Sequence, residues 1–237
     1  MTKSKNTKKN TETIQYSCEF CNRIFVRETS IAKHMCEYKH RWLEKDKRSN
    51  QIAFQAWLEF YKLNTLSKKL RTYADFIKSA YYIAFVKFGS YCVDTNVLNI
   101  NQYIHYLLKN NVKIDQWNTD TNYTKFLISY LKEEDPLDAI KRSVETTIEL
   151  AVYENIQNKD LLRYGNKNKI CYNITTGKIS PWMLYHSNSG LKFLDNLDET
   201  QVKMIIDYIN PEQWAIKFKR DNDIVKVVKE LLNIAGY

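Results

Sequence analysis

Two cysteines separated by two residues, followed by two histidines, constrain this chain more than any other stretch. They stand in CEFCNRIFVRETSIAKHMCEYKH, residues 18–40, as Cys18-x2-Cys21-x12-His34-x5-His40. Thiolates from a tight turn and imidazoles from one helix are what a tetrahedral zinc ion takes. A segment this short buries too little apolar surface to fold unaided, so metal binding would supply most of its folding free energy. The expected ligands are Cys18, Cys21, His34 and His40, around one structural Zn2+. His34 and His40 lie more than one and a half helical turns apart, so the last turn must loosen to bring both to one ion. Cys36 is the alternative fourth ligand, if the helix breaks just after His34. On a continuous helix, positions 34 and 36 point about 200° apart and cannot face one ion together. Four N and S ligands close the shell, and no H-E-x-x-H or H-x-E arrangement supplies a general base, so the ion is expected to be structural.

The stretch resembles the C2H2 zinc-finger family in more than its ligands. Tyr16, Phe25 and Ile31 occupy the three small-core positions of that family, and all three are apolar here. The resemblance implies a ββα module over residues 16–41 and a face that reads DNA. The positions that reach base edges in the family fall on Arg27, Ser30 and Lys33. Arg27 suits guanine O6 and N7, and Lys33 a base edge or a phosphate.

One finger spans only about 3 bp, and no second Cys-x2-Cys follows. Flanking charge would have to assist. Of the 36 Lys and Arg, 12 lie in the first 50 residues against 6 Asp and Glu, so +6 of the net +9 sits at this end. Lys3, Lys5, Lys8 and Lys9 precede the stretch; Lys39, Arg41, Lys45, Lys47 and Arg48 follow it. Arg41 and Lys45 are taken as further phosphate contacts. Six such contacts would give a log–log salt slope of about −5. The expected partner is nucleic acid, DNA favoured over RNA. The alternatives are an adaptor whose finger docks a protein, and a nuclease or other enzyme in the body of the chain.

Residues 1–15 read as a basic arm and 42–50 as a charged linker or helix extension. Residues 51–237 read as one helical domain, making the fold class mainly α. Phe54, Trp57, Leu58 and Tyr61 recur at helical spacing. Asp135-Pro136 supplies a cap and a first-turn proline. Asp198 with Gln201 forms a capping box, and Asn210-Pro211 ends one helix and starts another. DIVKVVKELLNIAGY closes the chain as an amphipathic helix. KICYNITTGKISPWMLY, with β-branched residues around Thr176-Gly177, is expected as a short β-hairpin. Its TGK lacks the glycine a phosphate loop needs, because Tyr172 stands there.

No catalytic residue is assigned. His186 in YHSNSG has no carboxylate or second histidine with it, and His105 reads as structural or partly exposed. Glu133, Glu134 and Asp135 suit the positive end of a helix without a metal. The aromatics of SAYYIAFVKFGSYC are expected on a buried helix face. Five cysteines, an odd number, suggest reduced thiols and an intracellular setting, with Cys92 and Cys171 as core residues. No run of 18 apolar residues exists.

Over most of its length the chain also resembles a group of single-finger proteins of tailed phages with T-even-like genomes. The strings FQAWLEFY, YYIAFVKFG, DQW, RYGN and ISPW, following the finger in that order, carry the likeness. It implies a viral origin, and with it the host cell cytoplasm. It transfers no activity.

Overall fold

A computed structural model describes residues 15–64 and 70–237. The expected basic arm, and with it Lys3, Lys5, Lys8 and Lys9, lies outside the described residues apart from Gln15. The fold is mainly α, with a two-stranded sheet as its β-structure among the described residues. It divides into two compact units, one ending at Asp94 and the other running from Thr95 to Tyr237. The expected boundary near residue 50 is therefore not where the units part. The helices that follow it pack with the N-terminal segment.

In the first unit, β1 (Tyr16–Ser17) pairs antiparallel with β2 (Ile24–Phe25), Tyr16 opposite Phe25. Helix α1 (Glu28–Ala32) follows, then α2 (Glu37–Leu43), α3 (Arg48–Asn64), α4 (Tyr73–Phe76) and α5 (Tyr82–Asp94). The residue ladder Ile52, Ala53, Ala56 and Trp57 on α3 meets Phe85, Phe88 and Cys92 of α5, all buried. Small residues let these two helices close up. A Cβ on Gly89 would stand 2.0 Å from the Ser49 carbonyl oxygen, so only glycine fits the crossing. Three of the five aromatics of SAYYIAFVKFGSYC, Tyr82, Phe85 and Phe88, are buried in this core, whereas Tyr81 is exposed and Tyr91 half-buried. The capping box at the start of α4 is made by Thr72 and Asp75.

The second unit begins with α6 (Ile100–Lys109), a 3₁₀ turn, α7 (Asp120–Glu133) and α8 (Pro136–Glu154). After a second 3₁₀ turn come α9 (Leu161–Tyr164), α10 (Lys167–Thr175), α11 (Pro181–His186) and α12 (Asn188–Asp195). Helices α13 (Glu199–Ile209), α14 (Pro211–Arg220) and α15 (Asn222–Ile234) complete it. The caps read from sequence are present. Asp135 Oδ1 accepts from the N–H of Leu137 at 2.8 Å; Asp198 and Gln201 form the capping box; Asn210 caps α14. Buried indoles anchor the core. Trp117 donates its ring N–H to the Val112 carbonyl at 2.9 Å and Trp214 to that of Tyr208 at 2.9 Å. Such partners let a large amphipathic ring be buried without an orphaned donor.

The expected hairpin at Thr176-Gly177 is a helix end. Ile170, Cys171 and Ile174 recur along one buried face of α10, a helical period that outweighs the β-branched composition. Gly177, at φ +76°, terminates the helix, its N–H bonding to the Ile174 carbonyl at 3.0 Å. Cys92 and Cys171 are buried, and burial pushes their thiols up to about 12 and about 11. They act as small apolar residues.

Candidate metal centre

The first ligand pair is positioned by a reversal between β1 and β2. Asn22 takes φ +58° and donates its N–H to the Cys18 carbonyl at 2.8 Å, while the Cys18 N–H bonds to the Arg23 carbonyl at 2.9 Å. Asparagine tolerates this left-handed backbone better than most residues. The turn brings both sulfurs to one side. Backbone N–H groups of Cys21 and Phe20 point at Cys18 and hold its thiol below its ordinary value, favouring the thiolate a metal requires.

The second pair comes from a helix break. Helix α1 lasts five residues and is capped at Lys33, so His34 lies just beyond it. Cys36 then opens α2 as its N-cap residue, its Sγ accepting the N–H of Lys39 at 3.4 Å. Because the chain is extended at Cys36 (φ −88°, ψ 165°), residues 34 and 36 escape the opposed directions a continuous helix would force. Lys39 also donates its ammonium to the His34 carbonyl at 3.2 Å, and the Phe25 ring lies 4.8 Å from the imidazole, centre to centre.

The result is a cluster of Cys18, Cys21, His34 and Cys36 whose ligand atoms all lie within 4.8 Å of one another. Cys18 Sγ is 3.9 Å from Cys36 Sγ, and Cys21 Sγ is 3.2 Å from His34 Nε2. A tetrahedral ion with metal–sulfur bonds of about 2.3 Å requires sulfur–sulfur edges of about 3.8 Å. The Cys18–Cys36 separation matches that edge, and the other two groups lie close enough to close on the same ion with small side-chain shifts. A complete set of three thiolates and one imidazole also leaves a four-coordinate ion no position for a reacting water.

His40, the expected fourth ligand, does not join them. Its side chain is 63% exposed on α2 and its Nδ1 lies 3.8 Å from a Glu44 carboxylate oxygen. The break after Lys33 delivers Cys36 to the site first, and α2 then carries His40 away. The signal available in the sequence was the short reach from His34 to Cys36, with Cys36 poised as a cap before Glu37.

The expected nucleic-acid contacts divide into two groups. Arg27, Ser30 and Lys33 are exposed along α1. Arg41 is turned inward instead. Its guanidinium donates to the Ile77 carbonyl at 2.6 Å, pairs with Glu37 and lies 4.2 Å from the centre of the Tyr82 ring. Lys45 lies over the Trp42 ring at 4.9 Å. Arg41 therefore holds α2 to the end of α4 and to α5, a role the sequence did not suggest. Phe20, from the cysteine turn, meets Trp42 at 6.0 Å, and Trp42 meets Tyr73 edge-on at 5.9 Å.

Elsewhere, the histidines and acids given no catalytic role lie outside this cluster. His105 is exposed on α6. His186 packs against Phe218, with 4.3 Å between ring centres. Glu134 is buried and forms a two-pronged pair with Arg142 at 2.7 and 2.9 Å. No helix is long and apolar enough to cross a membrane among the described residues. Comparison with protein-family models, curated proteins and solved structures matches nothing to this chain.

Proposed function

We propose that residues 16–36 form a zinc-stabilised module that carries the protein to nucleic acid. The supporting observation is the closed set of Cys18, Cys21, His34 and Cys36 within 4.8 Å. Three thiolates with one imidazole is a soft donor set that suits zinc. The metal's role is structural, fixing the turn, α1 and the start of α2 in one arrangement. Arg23, Arg27 and Lys33 are exposed on this small module and Ser30 lies between the last two, giving a cationic surface for phosphates. Helix α1 is under two turns long, so phosphate contact contributes more than base reading does. DNA is the favoured partner. The likeness to phage proteins would set this in an infected cell.

Fluorescence anisotropy of the zinc-loaded full chain with duplex DNA, single-stranded DNA and RNA, over a series of salt concentrations, tests the reading. Three phosphate contacts give a log–log slope of about −2.7 on a duplex. Arg27→Ala and Lys33→Ala should each reduce its magnitude by about 0.9. Binding that ignores both substitutions, or no binding at all, would overturn it.

A second reading rests on apolar exposure. Ile24, Val26 and Met35 on the same module are 61%, 67% and 56% exposed, which suits protein docking. Ile24→Asp would abolish that function and spare phosphate binding.

A further inference from the structure

The turn that carries Cys18 and Cys21 also forms one wall of a slot that the metal cluster does not use. Glu19 and Phe20, between those cysteines, line it together with Trp42 of α2, Ala74 of α4, and Ile77 and Lys78 just after α4; its volume is about 240 Å³. Pockets that enclose a drug-sized molecule run to roughly 300–1,000 Å³, so this one has room for a single flat ring system. Phe20 and Trp42 are half-buried, their ring centres 6.0 Å apart at 49°. Ile77 adds a buried apolar side chain. The bond from Arg41 to the Ile77 carbonyl ties α2 to the end of α4, which fixes two of the walls before anything binds. Glu19 and Lys78 are exposed, and neither side chain has a hydrogen bond or ion pair among the described residues.

We propose that the slot takes one unpaired guanine of a single-stranded nucleic acid, its ring against Phe20 and Trp42, its N1–H and N2–H donating to the Glu19 carboxylate and its phosphate paired with the Lys78 ammonium. The inference builds on the nucleic-acid reading above but uses residues outside the α1 face. Chemistry selects this occupant. An apolar slot with aromatic walls suits a base that has left its stack. A carboxylate accepts through both oxygens and donates nothing, so beside a strand of phosphates it repels unless donors meet it. Guanine presents two adjacent N–H donors on its Watson–Crick edge. Adenine and cytosine set a ring-nitrogen acceptor beside their amino group, and thymine and uracil flank a single N–H with carbonyls. Glu19 thus rewards guanine and penalises the other bases. In a duplex that edge is already paired, so the target is a single strand. Lys78, from the other wall, answers the anionic end of the nucleotide. A second hollow of about 210 Å³ shares Glu19 and Phe20 with the slot and is lined by Lys39 as well, so a strand continued into it meets another cation.

Fluorescence anisotropy of the zinc-loaded full chain with a short labelled oligothymidylate tests this, one central thymidine being replaced in turn by guanosine, inosine or adenosine. The guanine strand should bind at least about tenfold more tightly than the all-thymine strand, the scale of one bidentate base contact. Inosine keeps N1–H but lacks the amino group, and should fall between. Glu19→Gln should bring the strands within about twofold of one another. Lys78→Ala should weaken all of them alike and lower the magnitude of the log–log salt slope by about 0.7. Both residues are exposed, so the circular dichroism spectrum and zinc content should not change. Arg27→Ala and Lys33→Ala lie outside the slot and should leave the guanine preference as it is. Equal binding of all strands overturns the proposal, as does a guanine preference that survives Glu19→Gln. Equal strand binding beside duplex binding that depends on Arg27 would overturn the slot alone. A guanine preference without duplex binding would support the slot and overturn the reading of α1. Single strands that fail to bind at all overturn the slot as a base site and would assign it to a peptide.

Discussion

The guanidinium of Arg41 donates to the Ile77 carbonyl oxygen at 2.6 Å while lying 4.2 Å from the centre of the Tyr82 ring. One side chain thus joins α2, the end of α4 and α5. Its side chain is only 13% exposed, so the cation is used inside the protein. Arg41→Ala is expected to cost about 2 kcal/mol, a charged hydrogen bond and a cation–π contact being lost together. Chemical denaturation would measure this. The salt slope of nucleic-acid binding should stay unchanged.

The proposed zinc site gives a paired prediction. Cys36→Ser should reduce zinc affinity by at least a hundredfold, because a thiolate is lost from a set that has no spare ligand. His40→Asn should leave it within twofold. Competition with a chromophoric chelator, alongside elemental analysis, distinguishes them. Equal losses in the two variants would return His40 to the site.

Glu134 and Arg142 form a pair whose strength depends on both members. Burial pushes the Glu134 carboxyl up and Arg142 pulls it back, so without the guanidinium a buried acid is left uncompensated. Arg142→Ala is expected to destabilise the protein by about 3–5 kcal/mol. Arg142 also donates from Nε to the Gly177 carbonyl at 2.9 Å, so the loss extends to the turn after α10. The double variant Arg142→Met with Glu134→Gln should recover part of the loss in a denaturant titration.

His186 predicts a pH dependence. Burial, assisted by the charge of Lys229, lowers its pKa from 6.5 to about 4. The fold holds the neutral imidazole, whereas an unfolded chain takes up a proton near pH 6.5. Stability contributed by this residue is therefore complete above about pH 6.5 and lost as the pH falls toward 4, where the slope ends. Discounted for the partial exposure of the ring, the loss is about 1–3 kcal/mol. His186→Gln should flatten the stability profile between pH 6.5 and 4. An unaltered profile would place the titrating group elsewhere.

Local rules carried much of the architecture. The caps at Asp135, Asp198 and Asn210 follow from side chains meeting backbone groups two or three residues on, and a short window of sequence contains all the partners. The knuckle at Cys18 and Cys21 was legible for the same reason, and the apolar period of α3 gave its buried face. Where composition and period conflicted, at Thr176-Gly177, the period prevailed. Burial of Ile170, Cys171 and Ile174 on one face rewards a helix whatever the intrinsic β preference of its residues.

Tertiary structure alone decided three things. It chose Cys36 over His40, because the choice depends on where α1 stops and how the chain turns before α2, and spacing permits both outcomes. It withdrew Arg41 from the surface, since only the approach of Ile77 and Tyr82, 36 and 41 residues further along, supplies a carbonyl and a ring for the guanidinium. It set the division at Asp94, which follows from the close crossing of α3 and α5 at Gly89. The sequence by itself determined the helix caps, the apolar face of α3 and which residues are fit to bind a metal. Contacts between residues distant along the chain determined which of those residues meet, because only folding brings their atoms within bonding range.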